Sequence, residues 1–292
     1  MTKPQTHHGY DPNLVGSCER LLVTLLRGLG PWKESLVLVG GLTPRYLVKA
    51  RPPKVPAHAG TADVDIVIDI QVLVDVDAYQ TFEENLTRLG FERCTNDRNQ
   101  KVNWRWQKDV GGASLILEFL AEQPSAGRRV QALPTKGNVS AVNIPHASIV
   151  FDHFEAVPIT AELLDGNGIV TETIRYADVV AFATLKAFAF RDRNERKDAH
   201  DLLYCLEHAD DPEAVLQQFK TALAGKHGST IREALELLRV DFVEDSNTEG
   251  YLKAGPVAVA RFELGDLDED AESRALRQRE VSALLERVLD AI

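Results

Sequence analysis

Two aspartates interrupt a run of β-branched residues early in the chain, in the segment 60–68 (GTADVDIVI). This alternating apolar pattern predicts a β-strand, and residues two apart on a strand project from the same face. Two carboxylates on one partly buried face repel each other, and a hard cation such as Mg²⁺ or Mn²⁺ relieves that repulsion. Asp63 and Asp65 are therefore a candidate metal site, and a solvated strand edge is the structural alternative.

A pair of glycines, Gly40 and Gly41, follows the apolar segment 36–39 (LVLV). We interpret Thr43 as the N-cap of a helix and Pro44 as its first residue, which places the glycines in a strand-to-helix turn. Such a turn presents backbone N–H groups and the positive end of a helix dipole to an anion. The turn predicts a phosphate held opposite the metal, and a tight turn without a ligand is the alternative.

A third carboxylate, Glu118, is the lone acid in the apolar segment 113–120. An unpaired charge inside an apolar strand is costly, so Glu118 is either a metal-site residue or a hydrogen-bonded structural residue. If its strand lies beside the strand of Asp63, three carboxylates converge to hold metal. That arrangement is typical of two-metal phosphoryl transfer, in which a carboxylate can also accept the proton of the nucleophile.

Lys186 interrupts an apolar helix face, where it would either contact phosphate or extend along the surface to solvent. Asp198 lies twelve residues later. We favour a functional role for it because of that spacing, and the alternative is an N-cap, with Asp201 serving the helix dipole. Five cations between 186 and 197 predict a local basic surface, which an acidic chain needs in order to bind nucleic acid.

The coarse pattern predicts an α/β (α+β) fold, with a mixed sheet followed by a helical C-terminal region. The expected domains are a core at 1–175 and a helical domain at 176–292 that carries Lys186 and Asp198. Helices are predicted near 11–29, 77–90, 177–191, 198–209, 211–224, 229–240 and 268–291, and strands near 101–107, 113–120, 128–133 and 147–159.

Composition fits a soluble enzyme of 292 residues with 44% hydrophobic residues. The sequence lacks an apolar stretch of about 20 residues and an apolar leader, so we expect a cytoplasmic protein without a membrane partner. The three cysteines, Cys18, Cys94 and Cys205, are odd in number and widely spaced. We expect them to be reduced packing residues.

The net charge of -11 is uneven, because residues 241–292 hold 13 acidic and 6 basic residues. We call this segment the acidic tail. Its last part, 272–289, has near-helical spacing of four apolar residues: Leu276, Leu284, Leu285 and Val288. We expect this helix to pack on its own domain. The alternatives are a docking surface for a partner and a flap that competes with RNA for the basic residues.

The order of these motifs resembles that of the AbiEii/AbiGii-type minimal nucleotidyltransferases, the toxin halves of certain toxin–antitoxin pairs, and of the related MenT-type enzymes. The matching residues, within about 35–209, are Gly40, Gly41, Thr61, Asp63, Asp65, Glu118, Lys186, Arg196, Lys197, Asp198, Asp201 and Leu202. The resemblance implies a polymerase-β-like fold and transfer of a nucleoside monophosphate from an NTP to an acceptor hydroxyl. The implied acceptor is RNA such as a tRNA end, a protein or a small molecule, and an antitoxin protein is an implied partner.

The resemblance also implies roles for individual residues. Gly40 and Gly41, together with Thr43 and Thr61, would lie near the triphosphate, and Lys186 would contact phosphate.

Asp198 would complete the site, whose metal would be Mg²⁺ or Mn²⁺. Two positions depart from the pattern of the family. Ala59 replaces its usual arginine, for which His58, Arg51 or Lys54 could substitute, and Leu42 replaces a hydroxyl residue after the glycines.

Two other classes of protein fit parts of the pattern. A metal-dependent glycosyltransferase also uses an Asp-x-Asp pair, but this hypothesis explains neither the glycine turn nor Lys186 and Asp198. A catalytically lapsed nucleotidyltransferase fold would bind nucleotide or a partner without turnover.

Overall fold

The computed structural model of the protein describes residues 4–11, 13–74, 81–123, 129–135, 137–164 and 166–292. The chain divides into two compact units. The sheet unit comprises Pro12–Thr43 and Gly60–Asp178, and the helical unit comprises Met1–Asp11, Pro44–Ala59 and Val179–Ile292. The predicted boundary at 175/176 lies close to the last junction. The early segments Met1–Asp11 and Pro44–Ala59 were predicted in the core and belong to the helical unit.

Polar contacts explain why Pro44–Ala59 belongs to the helical unit. The hydroxyl of Tyr204 donates to the carbonyl of Pro56 at 2.9 Å. The backbone N–H of Lys49 donates to Asp210 Oδ2 at 3.1 Å. These hydrogen bonds depend on residues far away in the sequence, so local patterns did not reveal them.

The sheet unit contains every strand of the described residues. The strands are β1 (Leu36–Val39), β2 (Asp63–Ile68), β3 (Glu92–Thr95), β4 (Lys101–Val110), β5 (Ala113–Ala121), β6 (Val130–Ala132), β7 (Ser140–Asn143), β8 (Phe154–Glu162) and β9 (Ile169–Ala177). The main order is β3-β4-β5-β2-β1-β9-β8, with β7 pairing to β5 and β6 to β7. The pairs β2–β5, β1–β9 and β5–β7 are parallel and the others antiparallel.

Ten helices occur in the described ranges. They are α1 (Leu14–Leu29), α2 (Pro44–Leu47), α3 (Ile70–Val74), α4 (Phe82–Arg88), α5 (Val179–Arg193), α6 (Arg196–Glu207), α7 (Pro212–Leu223), α8 (Gly228–Phe242), α9 (Ala254–Leu264) and α10 (Ala271–Ala291). The predicted fold class, a mixed sheet followed by a helical C-terminal region, is confirmed.

Several predicted elements differ from the structure. The predicted strand at 147–159 is wrong in its first part, because Ala147–Phe151 forms a 3-10 helix after His146, whose φ is +64°. The strands β3, β7 and β9 and the helix α9 were not predicted. In α9, Pro256 occupies the first turn, where its missing N–H costs no hydrogen bond, so it does not stop the helix. Residues 77–80 of the predicted helix 77–90, and residue 128 of the predicted strand 128–133, lie outside the described residues.

The core of the sheet unit is built by α1 against the sheet. One side of α1 is almost fully buried, with Leu21 and Leu25 at 0% exposure and Leu22 at 2%. These residues are spaced three and four apart, which puts them on one helix face. At α4, Thr81 and Glu84 form a capping box, in which each side chain bonds the backbone N–H of the other.

The acidic tail is part of the core of the helical unit. Phe262 on α9 and Val281 and Leu285 on α10 are fully buried. The expectation that the tail packs on its own domain is confirmed. The flap and docking alternatives stay predictions. One predicted packing residue is wrong, because Leu276 is 59% exposed.

Within the described residues, every helix is too short or too polar to cross a lipid bilayer. The three cysteines are free and buried, as predicted.

Candidate functional site

Three carboxylates lie on one face of two neighbouring strands in the sheet unit. Strand β2 runs parallel to β5, and the register places Asp65 opposite Glu118 and Asp63 opposite Ile116. Paired residues share a face, and adjacent strands are separated by about 4.8 Å, so the three carboxylates lie on one face of neighbouring strands. We call Asp63, Asp65 and Glu118 the acidic cluster. The condition for their convergence, adjacency of the two strands, is confirmed.

The other face of the same two strands is apolar. Val64 on β2 and Leu117 and Phe119 on β5 are fully buried, whereas all three members of the acidic cluster are half-buried. Because the strands alternate in this way, the charges lie on the face with access to solvent, which lowers the cost of keeping them ionised.

Gly40 lies against the carboxylate of Asp65. Its φ is +72°, and a Cβ at this position would lie 2.0 Å from Asp65 Oδ2 and 2.8 Å from Cγ. A non-bonded carbon and oxygen do not approach so closely, so the lack of a side chain at Gly40 permits the position of Asp65. The glycine turn is therefore tied to the acidic cluster by close contact.

The turn after β1 differs from the predicted helix start in the length of the helix and in the role of Thr43. Gly40–Leu42 forms a 3-10 turn, and α2 begins at Pro44 as predicted but has only four residues. Thr43 has helical backbone angles, and its buried hydroxyl has no hydrogen-bond partner in the described part of the chain, so its predicted capping role is wrong. Because α2 is a single turn, its dipole is small, and any anion would depend mainly on the backbone N–H groups.

Thr61 fixes the start of β2. Its hydroxyl accepts a hydrogen bond from the backbone N–H of Asp63 at 3.0 Å. Its carbonyl lies 3.4 Å from the thiol of Cys18. Burial, together with the charges of Asp63 and Asp65, raises the pKa of Cys18 to about 12, so this thiol stays protonated and unreactive. The predicted contact between Thr61 and a nucleotide stays a prediction.

Arg105, a cation on the face of the acidic cluster, was not among the predicted site residues. Arg105 on β4 lies opposite Glu118, and its Nε is 2.7 Å from Glu118 Oε1. The ion pair compensates one of the three negative charges and holds the Glu118 side chain. In the sequence, Arg105 stands between two tryptophans, Trp104 and Trp106. Because side chains alternate along a strand, Arg105 lies on the opposite face from both, and this pattern was its signal.

The remaining predicted residues lie in the helical unit. Lys186 on α5 donates to Asp198 Oδ1 at 2.8 Å and to Asp201 Oδ2 at 2.6 Å, both on α6. The exposed fractions of these side chains are 9%, 6% and 0%. The alternative in which Lys186 extends to solvent is therefore wrong. Its contact with phosphate stays a prediction.

Further donors surround the two aspartates. Asp201 Oδ1 accepts from His58 Nε2 and from Lys197 Nζ, each at 2.8 Å. We call Lys186, Lys197, Asp198, Asp201 and His58 the buried charge cluster. Helix α6 begins at Arg196 after Glu195, so the alternatives in which Asp198 is an N-cap and Asp201 serves only the helix dipole are wrong.

The charges of the cluster stabilise one another. Burial alone would lower the pKa of Lys186, but Asp198 and Asp201 raise it above its usual value. Burial alone would raise the pKa values of the two aspartates, but Lys186 and its neighbours hold that of Asp198 below, and that of Asp201 well below, the usual range. Burial lowers the pKa of His58 to about 4, although Asp201 opposes this shift, so His58 is neutral at pH 7.

The cations between 186 and 197 do not form the predicted basic surface. Arg191 pairs with Asp241 at 3.1 Å, Arg193 with Asp198 at 2.6 Å, and Arg196 with Asp266 at 2.8 Å. The other two, Lys186 and Lys197, belong to the buried charge cluster. Each of the five cations therefore has a carboxylate partner, which compensates its charge.

The side chains of the acidic cluster fit a hard divalent cation. Mg²⁺ is bound through one or two carboxylates with water in its other positions, and Asp63 and Asp65 supply two on one face. Glu118 is held by Arg105. Three other potential ligands lie closer together. Among the described residues, the ligand atoms of His58, His200 and Asp201 all lie within 4.8 Å of one another.

A comparison with models of protein families finds no match, and a comparison with curated proteins finds no similar sequence. The predicted site residues fall in both units. The sheet unit holds Gly40, Gly41, Thr43, Thr61, Asp63, Asp65 and Glu118, and the helical unit holds Lys186 and Asp198. The resemblance to AbiEii-type enzymes stays a prediction.

Proposed function

We propose that the protein is a metal-dependent nucleotidyltransferase that moves a nucleoside monophosphate from an NTP to an acceptor hydroxyl, with pyrophosphate as the leaving group. The observation that carries this proposal is the acidic cluster. Asp65 lies opposite Glu118, Asp63 shares their face, and Gly40 leaves room for the Asp65 carboxylate. Carboxylates grouped beside a glycine turn suit a metal and a phosphate.

Each residue of the sheet unit has a distinct role in the proposal. Asp63 and Asp65 would hold Mg²⁺ or Mn²⁺, and the ion supplies electrostatic stabilisation of charge on phosphoryl oxygens. Glu118, which Arg105 holds in place, accepts the proton of the acceptor hydroxyl. The backbone N–H groups of Gly40 and Gly41 bind phosphate oxygens.

In the helical unit, we assign a phosphate contact to Lys186 and a supporting role to Asp198. Lys186 already donates to two carboxylates. To contact phosphate, it must exchange at least one of these bonds for a phosphate oxygen. The exchange keeps a negative partner beside the buried ammonium group, so it avoids an isolated buried charge.

The pairing of Lys186 also favours a second candidate function. If Lys186 keeps both carboxylates, the chain is a nucleotide-binding or partner-binding module without turnover. In that case Asp63 and Asp65 would still bind a metal–nucleotide complex. The two candidates differ in whether label moves from the nucleotide to an acceptor.

The test uses the full chain with each α-labelled NTP, Mg²⁺ or Mn²⁺, and three acceptor classes: total RNA, protein and aminoglycosides. Transfer of label supports the nucleotidyltransferase and identifies the acceptor, whereas binding without transfer supports the module. We expect Asp63→Asn to lower turnover at least ~100-fold, about 2.7 kcal/mol of transition-state stabilisation. Its stability without metal should hold or rise, because a repulsion between carboxylates is removed.

Asp69 provides a matched control, because it follows the same strand but caps α3. Its Oδ1 accepts from the backbone N–H groups of Gln71 at 2.9 Å and Val72 at 3.2 Å. Asparagine is an equally good cap, so Asp69→Asn should keep full activity. Equal activity of Asp63→Asn and the unmodified chain would remove the metal role of Asp63. If the chain neither binds nor transfers any of the NTPs, both candidate functions are rejected.

A further inference from the structure

Two histidines and an aspartate lie together in the helical unit, among residues that the proposed nucleotidyl transfer does not use as metal ligands. The potential ligand atoms of His58, His200 and Asp201 all lie within 4.8 Å of one another. The two imidazole rings are stacked, with centroids 5.6 Å apart and an angle of 22° between their planes. His58 Nε2 is 2.8 Å from Asp201 Oδ1.

The hydrogen bonds of His200 point to a missing partner. Its Nδ1 lies 3.2 Å from Glu263 Oε1, and Arg277 donates to the same carboxylate through Nε at 2.7 Å. An ionised carboxylate only accepts, so Nδ1 of His200 donates to Glu263, and in that tautomer Nε2 has a lone pair. This Nε2 is buried and has no hydrogen-bond partner among the described residues.

A buried lone pair without a donor is costly in a protein. It is also what a metal ion requires of a histidine. Metal-binding histidines regularly donate their second ring N–H to a carboxylate, which fixes the tautomer and orients the ring. Glu263 stands in this position behind His200, and Arg277 holds Glu263 in turn.

We propose that His58, His200 and Asp201 form a binding site for a transition-metal ion of the Zn²⁺ class. Two imidazoles and one carboxylate suit Zn²⁺, Co²⁺ or Ni²⁺, whereas Mg²⁺ prefers oxygen ligands alone. The site is independent of the acidic cluster, which supplies only oxygens.

The existing contacts require a small adjustment on binding. Ligand atoms about 2.0–2.1 Å from a tetrahedral ion lie roughly 3.3 Å apart. The contact between His58 Nε2 and Asp201 Oδ1 therefore widens from 2.8 Å by about half an ångström. The proton on His58 Nε2 moves to Nδ1 or to solvent, which leaves a lone pair for the metal.

The charges around the site set a limit on its affinity. Lys186 and Lys197 both bind Asp201 and repel an incoming cation. Asp198 and Glu263 attract it, and a metal that binds Asp201 Oδ1 competes with Lys197 for that oxygen. We therefore expect neutralisation of this lysine, as in Lys197→Met, to tighten metal binding.

The experiment is a titration of the full chain, freed of metal with EDTA, with Zn²⁺ followed by calorimetry and with Co²⁺ followed by visible absorption. We expect one Zn²⁺ per chain, tetrahedral-type Co²⁺ absorption and a higher Tm with Zn²⁺. His200→Gln should weaken Zn²⁺ binding at least ~100-fold, since it removes a ligand. His58→Gln provides a second ligand variant, and the measurements on the unmodified chain remain decisive if both variants fail to fold.

Two controls separate this site from other binding. His8→Gln changes an exposed histidine beside His7 and should leave Zn²⁺ affinity unchanged. Asp63→Asn should also leave it unchanged, whatever the outcome for nucleotidyl transfer. A stoichiometry well below one, or equal Zn²⁺ affinity in His200→Gln and the unmodified chain, would overturn the proposal.

Discussion

Replacing Asp201 by asparagine tests the buried charge cluster most directly. Asp201 is fully buried and accepts hydrogen bonds from Lys186, Lys197 and His58. Asp201→Asn keeps the shape of the side chain but removes the charge, so the Lys197 ammonium group loses its nearest carboxylate and Lys186 retains only Asp198. Breaking a buried ion pair by removing one partner costs about 3–5 kcal/mol, because the remaining charge stays buried. We expect a loss of this size in the free energy of unfolding.

Asp266→Asn is the matched control. Asp266 also pairs with a cation of α6, Arg196, but its side chain is 54% exposed. An exposed pair contributes about 0–1 kcal/mol, so this variant should change stability little.

The assay is urea unfolding at pH 7 in EDTA, with two probes. Far-UV circular dichroism follows the helices, and the three tryptophans, Trp32, Trp104 and Trp106, all report on the sheet unit. With a typical slope of about 2 kcal/mol per molar urea, a loss of 3 kcal/mol shifts the midpoint by roughly 1.5 M. A loss below about 1 kcal/mol, or equal losses in both variants, would refute the energetic role that we assign to Asp201.

Three further predictions concern other parts of the chain. Gly40→Ala should destabilise the protein by about 1–2 kcal/mol through the positive φ alone, and by more through the contact of the new methyl group with Asp65. Calorimetry should therefore find a smaller loss of stability when Gly40→Ala is made in the Asp65→Ala background. An equal loss in both backgrounds would contradict the contact. The pKa of His58 is lowered from 6.5 to about 4, so the unfolded chain binds more protons between these values. The contribution of neutral His58 to the free energy of unfolding should be fully present above pH 6.5 and fall by about 3 kcal/mol towards pH 4. Urea unfolding in EDTA should show a weaker fall in His58→Gln. Deleting the acidic tail, 241–292, removes Phe262 and Leu285 from the core. Circular dichroism should therefore show loss of the folded helical unit, and a soluble, folded product would contradict this prediction.

The sequence determined those features that follow from local chemistry. The alternation around Asp63 and Asp65 fixed a strand with one apolar and one acidic face, because side chains of a strand alternate. The long helices α1 and α8 were predicted close to their observed bounds, since their apolar residues repeat at helical spacing. Helix α5 is apolar on all sides in its first part, and its bounds were also predicted closely. Strand β1 was predicted with its observed bounds, and α2 begins at the predicted Pro44.

The tertiary structure decided which charges meet. No local pattern brings His58 beside His200 and Asp201, because His58 is far from both in the sequence and lies outside their helix. The same limit explains the basic residues at 186–197, which sequence alone treated as a free surface and which Asp241 and Asp266 compensate. A charge is fixed by its residue type, but its energy depends on burial and on neighbours, and these exist only once the chain has folded.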